Sequence, residues 1–385
     1  MILRTINLPN KHSFFLFGPR GCGKTTLIKK RYLDSKALHI DLLDSDQFNQ
    51  YSLSPSLLNA RIEATKGVQR VIIDEVQKVP ALLDHVHKII EENKKLQFIL
   101  TGSSARKLKR GGANLLAGRA FVFNLHSFTS QELGDQFSLE SALNWGMLPK
   151  LLELDDDIER KEYLRAYANT YLKEEILQEQ LIRKLEPFQR FLPIAAQTSG
   201  KIVNFAKIAK DVGAAPQTVE NYFYILTDTL LGNFLPAYNP SVRKQERVLP
   251  KFYLFDLGVK RSLAKHLEIP VYPETYAYGV HFEHFVLHEI LKLSSYKRRD
   301  DSHYYYQTHS GVEIDLVIER PGLPLALIEI KSTDNVKIDA VRNLNSICAD
   351  FKNAQSFCFS NDPDPKQFGY VRCVHWRDGL EELGL

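Results

Sequence analysis

The chain reads Gly18-Pro19-Arg20-Gly21-Cys22-Gly23-Lys24-Thr25 directly after the apolar run Ser13-Phe-Phe-Leu-Phe17. This G-x-x-x-x-G-K-[ST] pattern predicts a buried strand, a phosphate-binding loop and a helix that begins near Thr26. The glycines allow successive backbone N–H groups to turn toward phosphate oxygens. Lys24 is expected to reach the β- and γ-phosphates, and Thr25 to bind Mg²⁺ through its hydroxyl. The sequence therefore predicts that residues 18–26 bind ATP with Mg²⁺.

A second apolar strand, residues 70–73, ends in Asp74-Glu75. We expect Asp74 to lie near the Mg²⁺ and Glu75 to orient and deprotonate the attacking water. A third strand ends in Thr101-Gly-Ser103-Ser104, and either Thr101 or Ser103 is expected to face that water. The alternative is that these are ordinary strands that exit into polar residues. The pattern favours hydrolysis of the bound nucleotide.

Arg119 follows Leu115-Leu-Ala-Gly118 and precedes a strand at residues 120–125. An arginine at this place can act as a finger that reaches the γ-phosphate of a neighbouring subunit. In that role Arg119 predicts a homo-oligomer in which it works in trans. The alternative is a surface salt bridge of little energetic weight.

These motifs together resemble the AAA-type ATPases of bacteria and archaea that carry a poorly characterised C-terminal region. The resemblance extends to Trp145-Gly-Met-Leu-Pro149 and to the tyrosine-rich residues 163–172. It covers nearly the whole chain. It implies an α/β P-loop domain with a five-stranded parallel sheet, and the Walker, sensor and arginine-finger roles given above.

Composition limits the class of protein. The 385 residues suffice for two or three domains, and a net charge of +4 permits DNA binding without requiring it. The four cysteines, Cys22, Cys348, Cys358 and Cys373, show no zinc-ligand spacing. A disulfide at Cys22 would disrupt the phosphate-binding loop, which favours a reducing cytosol. No stretch has the apolar length of a membrane span, so we expect a cytoplasmic protein without a membrane partner.

The chain is predicted to divide into an ATPase core (residues 1–135), a helical lid or linker (136–200), a winged-helix unit (201–265) and a C-terminal domain (266–385). In the third segment, residues 203–213 and 217–231 read as two helices separated by a tight turn, a helix-turn-helix pattern. Two strand-like pieces follow, joined by the basic residues 243–247, which suit a wing on DNA phosphates. DNA is therefore an expected partner. The alternative is a module that contacts protein only.

The last segment carries a second set of polar residues. Glu283 lies in an amphipathic helical stretch, residues 279–292, and Asp315 follows a hairpin around Ser310-Gly311. Glu329 and Lys331 alternate along the next strand, so their side chains face the same side. Two converging carboxylates repel each other unless a cation lies between them, so we expect Asp315 and Glu329 to hold Mg²⁺. Lys331 then orients the water and stabilises the developing charge.

The order helix-Glu, Asp, Glu-x-Lys is similar to the PD-(D/E)xK nuclease superfamily. The resemblance implies an α/β restriction-endonuclease-like domain in which Glu283, Asp315, Glu329 and Lys331 are the metal-binding and catalytic residues. The alternative is a solvated strand edge on which Glu329 simply pairs with Lys331. Nearby histidines are open to two interpretations: the i, i+3, i+7 set His281, His284 and His288 is either a metal-binding face or ordinary helix packing, and His309 approaches the DNA backbone or has no role.

The resulting hypothesis is an ATP-driven DNA-processing protein that remodels DNA or cuts it with Mg²⁺. One alternative is a nucleotide-gated switch or scaffold whose C-terminal domain binds DNA or protein without cleavage. Another is a defence effector that uses the same residues but cuts only when triggered.

Overall fold

The computed structural model describes residues 2–106, 108, 116, 118–171, 185–241, 248–308 and 310–385. It contains two compact units. The first comprises Met1–Phe128, Leu148–Lys150 and Ile225–Leu231, and the second comprises Thr129–Met147, Leu151–Tyr224 and Gly232–Leu385.

The first unit is built on a five-stranded sheet whose strands are all parallel, in the order β2-β3-β4-β1-β5. The strands are β1 (Phe14–Phe17), β2 (Ala37–Asp41), β3 (Arg70–Asp74), β4 (Gln97–Gly102) and β5 (Phe121–Asn124). Its helices are α1 (Lys24–Tyr32), α2 (Ser45–Leu53), α3 (Leu57–Ala64) and α4 (Leu82–Glu92). The central strands are buried on both faces, which explains why they read as continuous apolar runs. The predicted five-stranded parallel sheet is confirmed.

The second unit begins with helices. These are α5 (Ser130–Leu133), α6 (Leu139–Trp145), α7 (Asp157–Ala166) and α8 (Leu185–Thr198). Thr129 caps α5 in a capping box, because its side chain accepts from the Glu132 N–H while the Glu132 carboxylate accepts from the Thr129 N–H. Residues 172–184, within the predicted helical segment, lie outside the described residues.

A small antiparallel sheet follows, with strand order β6-β8-β7. Its strands are β6 (Lys201–Ile202), β7 (Gly232–Leu235) and β8 (Lys251–Leu254), and between β6 and β7 lie α9 (Phe205–Val212) and α10 (Pro216–Asp228). Asn204 caps α9 and Gly213 ends it at a φ of 71°. The two helices and two strands lie where the sequence places them. The predicted basic tip, 243–247, lies outside the described residues.

The largest sheet has six strands in the order β13-β14-β12-β11-β10-β9. They are β9 (Ser302–Gln307), β10 (Glu313–Glu319), β11 (Leu325–Ile330), β12 (Ala354–Ser360), β13 (Lys366–Phe368) and β14 (Val371–His375). Strands β9, β10 and β11 are mutually antiparallel, β11, β12 and β14 are parallel, and β13 runs antiparallel to β14. The helices of this part are α11 (Leu257–Leu263), α12 (Tyr276–Tyr296), α13 (Arg342–Cys348) and α14 (Trp376–Glu382).

Within the part of the chain that the structure describes, every helix is too short or too polar to cross a membrane.

Candidate functional site

The phosphate-binding loop lies between β1 and α1, as the sequence predicts. Gly23 has a φ of 95°, a backbone conformation that side-chain-bearing residues rarely adopt. Gly18 is required for a different reason, since a Cβ there would lie 2.3 Å from the Leu125 carbonyl oxygen. The helix begins at Lys24 rather than near Thr26. The loop residues divide by exposure: Gly18, Pro19 and Cys22 are buried, whereas Arg20, Gly21 and Thr26 are exposed.

Lys24 is held inside this loop. Its side chain is buried, with the residue only 6% exposed, and Nζ donates to the carbonyl oxygens of Gly18 at 2.7 Å and Pro19 at 3.1 Å. A buried ammonium is stable only where oxygen atoms replace its water, and these two carbonyls do so. The loop therefore keeps a positive charge at the place where the sequence predicts phosphates.

Asp74 is the centre of a hydrogen-bonded group at the carboxyl ends of the strands. The Thr25 hydroxyl donates to Asp74 Oδ2 at 2.7 Å, and the Thr101 hydroxyl donates to Asp74 Oδ1. Asp74 is 2% exposed. The hydroxyl of Thr25 and the carboxylate of Asp74 are oxygen ligands of the type that Mg²⁺ prefers, and they lie side by side. The structure thus brings together three predicted site residues.

Glu75 occupies a strained turn. Its φ is 57°, in the left-handed region, which costs a non-glycine residue about 1 kcal/mol or more. The turn is fixed by hydrogen bonds: the Glu75 N–H donates to Thr101 Oγ1 at 3.3 Å, and its carboxylate accepts from Gln77 Nε2 at 2.5 Å. Gln77 also donates to Ser103 Oγ at 3.2 Å. Sequence reasoning missed Gln77, for which the only signal is its place two residues after Glu75.

Arg119 pairs with Glu91 of α4 within the same chain. This hydrogen bond and the charge of Arg119 lower the pKa of the exposed Glu91 carboxyl. The contact is the surface salt bridge that was the alternative interpretation. The role of Arg119 in trans stays a prediction.

The second predicted site lies in the six-stranded sheet. Register pairs Leu316 of β10 with Ile328 of β11, which places Asp315 opposite Glu329. Asp315 Oδ2 accepts a hydrogen bond from the Ile330 N–H at 2.7 Å. Lys331 Nζ lies 2.5 Å from Glu329 Oε1.

The electrostatics of this group reflect crowded negative charge. Burial and then the Asp315 charge raise the pKa of Glu283 to about 7. Burial and then Asp315 likewise raise the pKa of Glu329 to about 8. Burial lowers the pKa of Lys331, but the charges of Asp315 and Glu329 outweigh it and bring that pKa above its usual value. Glu283, Asp315, Glu329 and Lys331 therefore share one electrostatic environment.

One oxygen of this group is unusual. Glu329 Oε2 is buried and accepts no hydrogen bond. A buried carboxylate oxygen without a donor is costly, and a cation would satisfy it. Among the described residues, however, no three or more His, Cys, Asp or Glu side chains are arranged as a metal-ligand group. Asp315 and Glu329 thus fit a cation as a pair of carboxylates that needs further oxygen ligands from elsewhere.

Two residues of the site were missed at the sequence level. On β8, the Tyr253 hydroxyl donates to Glu283 Oε1 at 2.8 Å, and Lys251 Nζ lies 3.8 Å from the same oxygen. Lys251 also pairs with Glu313. The available signal was the alternation of two polar-tipped side chains, 251 and 253, along an otherwise apolar strand.

The histidines of α12 are packed in the interior. His281 Nδ1 lies 3.2 Å from the Leu143 carbonyl oxygen and His284 Nε2 lies 2.7 Å from that of Leu254. Burial lowers the pKa of His281 to about 3 and that of His284 well below its usual value. These contacts favour the helix-packing interpretation. His309 lies outside the described residues.

Comparison with known families divides the chain into three parts. Residues 10–134 match an AAA domain family. This part of the chain is therefore similar to AAA domains. Residues 136–268 and 278–377 match two domains of unknown function, DUF8612 and DUF4143 respectively. The AAA match supports nucleotide binding and ATPase activity of the first unit.

The relatives that match most of the chain carry names that assign no function. Uncharacterized proteins of Mycobacterium bovis and Mycobacterium tuberculosis are each 25% identical over 342 residues, which is 88% of this chain and 74% of the relative. A solved structure of the replication initiator DnaA with AMPPCP and single-stranded DNA is 16% identical over 56% of this chain and 82% of its own, with a TM-score of 0.29. A solved structure of Thermococcus gammatolerans McrB AAA+ hexamers with bound McrC is 11% identical over 69% of this chain and 80% of its own, with a TM-score of 0.26. At such TM-scores these structures carry no argument about this chain.

Proposed function

We propose that the chain hydrolyses ATP at residues 18–25 and uses the energy to act on DNA. The observation that carries the ATPase part is the Asp74 carboxylate, which accepts from the Thr25 and Thr101 hydroxyls. Glu75 follows it directly in sequence and shares Thr101 as a partner. This arrangement, within a segment that matches AAA domains, supplies the groups that nucleotide hydrolysis requires.

Each residue has a distinct task in the proposed reaction. Lys24 exchanges its two carbonyl partners for phosphate oxygens and offsets their charge. Thr25 and Asp74 would hold Mg²⁺, which would supply further positive charge to the phosphates. Glu75 accepts the proton of the attacking water. Thr101 holds the Asp74 carboxylate and the Glu75 backbone N–H, and Gln77 holds the Glu75 carboxylate. The variant Glu75→Gln should bind ATP and fail to turn it over, as filter binding and phosphate release will measure.

Assembly through Arg119 is the proposed source of transition-state charge from a second subunit. For this, Arg119 must leave Glu91 and reach the nucleotide of its neighbour. Mixing Lys24→Ala subunits with Arg119→Ala subunits tests the idea, because a mixed interface can combine one intact loop with one intact finger. Recovery of hydrolysis in the mixture supports action in trans. Two inactive proteins that stay inactive together contradict it.

DNA as the partner is supported by the order of the elements, in which α9 and α10 are separated by a short connection and flanked in sequence by the strands β6, β7 and β8 of one sheet. This arrangement has the element order of a winged helix, and the predicted basic tip at 243–247 would serve as its wing. Replacing the basic residues of the tip should weaken DNA binding and reduce its salt dependence. Binding that is unchanged across salt concentrations would favour a protein-contact module.

A second candidate activity is Mg²⁺-dependent cleavage of a phosphodiester at Asp315, Glu329 and Lys331. The unpartnered Oε2 of Glu329 is the observation that favours it. Asp315 and Glu329 would hold the metal, and Lys331 would stabilise charge on the phosphate. The variants Glu329→Ala and Lys331→Ala should lose DNA nicking while ATP turnover stays intact. If the wild-type protein leaves linear, branched and single-stranded DNA uncut with both Mg²⁺ and Mn²⁺, the non-cleaving switch replaces this candidate.

A further inference from the structure

We propose that Lys251 and Tyr253 of β8 are positioning residues that hold the Glu283 carboxylate in the acidic site, the name used here for Glu283, Asp315, Glu329 and Lys331. The acidic site then depends on the three-stranded sheet as well as on the six-stranded sheet. The functional meaning of the inference rests on the proposed metal-dependent cleavage. The positioning itself is a separate claim with its own measurement.

The placement of β8 gives both side chains the same direction. Lys251 pairs with Ile202 of β6 and with Leu235 of β7, so both edges of the strand are occupied at this residue. Because side chains alternate along a strand, Lys251 and Tyr253 lie on one face of it. Both are buried, at 4% and 1% exposed, so a fixed backbone presents two fixed polar groups to Glu283.

Glu283 receives most of its polar contacts from this strand. The Tyr253 hydroxyl donates to Glu283 Oε1 at 2.8 Å, and Lys251 Nζ lies 3.8 Å from the same oxygen. The helical backbone of α12 restricts χ1 of Glu283 but leaves the outer torsions of the side chain several staggered positions. The two β8 groups therefore select its orientation.

The distribution of charge explains why Glu283 needs the contacts from Lys251 and Tyr253. Four carboxylates, those of Glu283, Glu313, Asp315 and Glu329, act on one another. Lys331 neutralises Glu329, and Lys251 lies against Glu313 and Glu283. Without Lys251 at 3.8 Å, the Glu283 carboxylate would face Asp315 with less positive charge beside it and would turn away from like charge.

A purely structural Lys251 predicts the opposite result for metal binding. Removing a positive charge from an acidic site strengthens the attraction of a divalent cation by Coulomb's law. Loss of a group that orients a ligand instead weakens metal affinity, by about 10- to 100-fold in metal sites generally. The sign of the change in affinity therefore separates the two roles.

The first experiment measures Mn²⁺ binding to the full chain by titration calorimetry, in a parent that carries Asp74→Asn so that the proposed metal ligand of the nucleotide site is removed. We expect Lys251→Met to weaken Mn²⁺ binding about tenfold, Tyr253→Phe to weaken it less, and Lys251→Arg to restore most of it. Lys352→Met, at an exposed position of the same unit, is the matched control and should bind as the parent does. Equal or tighter binding by Lys251→Met overturns the inference.

The second experiment needs no metal. A double-mutant cycle in urea compares Tyr253→Phe, Glu283→Gln and the pair, and a second cycle replaces Tyr253→Phe by Lys251→Met. Non-additive effects on unfolding support positioning, because coupled partners do not contribute independently, whereas additivity in both cycles refutes it. If the parent binds no Mn²⁺ and cuts no DNA, the proposed cleavage fails, and the cycles still decide whether β8 holds Glu283.

Discussion

Replacing Thr101 by valine tests the proposed ATPase centre, because one hydroxyl there serves two carboxylate-bearing residues. The Thr101 hydroxyl donates to Asp74 Oδ1 and accepts from the Glu75 N–H. Valine keeps the shape and removes both bonds. We expect ATP turnover to fall while the five-stranded sheet stays folded.

The magnitude follows from the two contacts. A hydrogen bond to a charged group contributes about 1.5–3 kcal/mol, and leaving the Glu75 N–H without its partner adds about 1 kcal/mol. If half of that total is lost only in the transition state, turnover falls by about 10- to 30-fold, since each 1.36 kcal/mol is a factor of ten. The rest appears as lower stability of the first unit, about 1–2 kcal/mol.

The assay is steady-state phosphate release, with urea unfolding measured in parallel. Thr101→Ser keeps the hydroxyl and should retain turnover within a few-fold. Thr65→Val is the matched control, because the hydroxyl of Thr65, the residue that caps the C-terminus of α3, donates to the Arg61 carbonyl of that helix at 2.7 Å. Wild-type turnover by Thr101→Val would refute the role given to this threonine, whatever its stability.

Further predictions concern the loop, the buried histidine and the arginine. Gly18→Ala should abolish nucleotide binding in an equilibrium assay, since its Cβ would meet the Leu125 carbonyl oxygen at 2.3 Å. Burial lowers the pKa of His281 to about 3, whereas an unfolded histidine titrates near 6.5, so this contribution to stability is present above about pH 6.5 and is lost as the pH falls toward 3. Thermal unfolding across that range should show the decline, and it should be shallower in His281→Asn; equal slopes would contradict the assignment. Glu91→Gln should leave the fold and assembly unchanged, as sedimentation will measure. If Arg119 acts as a finger, the same variant should raise ATP turnover, measured by phosphate release, because Arg119 loses its charged partner.

The proposed nucleotide site was largely predictable, because its elements lie close together in sequence. Apolar runs that end in Gly18, Asp74 and Thr101 specify buried parallel strands, and such strands bring their carboxyl ends to one edge. That rule, together with the loop motif that places Thr25 in the first turn of the following helix, puts Thr25 near Asp74. Gln77 was not predictable, since its contact depends on the left-handed backbone of Glu75, and that conformation follows from tertiary hydrogen bonds.

The second site was predicted less completely, because some of its residues come from an element that is distant in sequence. Alternation along β11, continued to Lys331 directly after the strand, predicts the shared direction of Glu329 and Lys331. The pairing of β10 with β11 brings in Asp315. Helix α12 is longer than the stretch 279–292, because Thr275 caps it and apolar positions continue beyond Lys292. Lys251 comes from a strand of a different sheet, so no local pattern relates it to Glu283.

The contacts of strand β8 also limit where the chain can be cut to obtain the C-terminal domain as a separate fragment. The match to DUF4143 spans 278–377, and Lys251 and Tyr253 precede it. Ala237 and Tyr305 of β9 form an isolated β-bridge, and the Tyr305 hydroxyl donates to the Leu249 carbonyl at 2.6 Å. The residues that flank β8 are therefore hydrogen-bonded to β9 as well. A gene fragment that begins at residue 266 would encode the six strands but leave behind two of the side chains around Glu283. Transfer of this module between proteins should therefore carry the upstream hairpin with it.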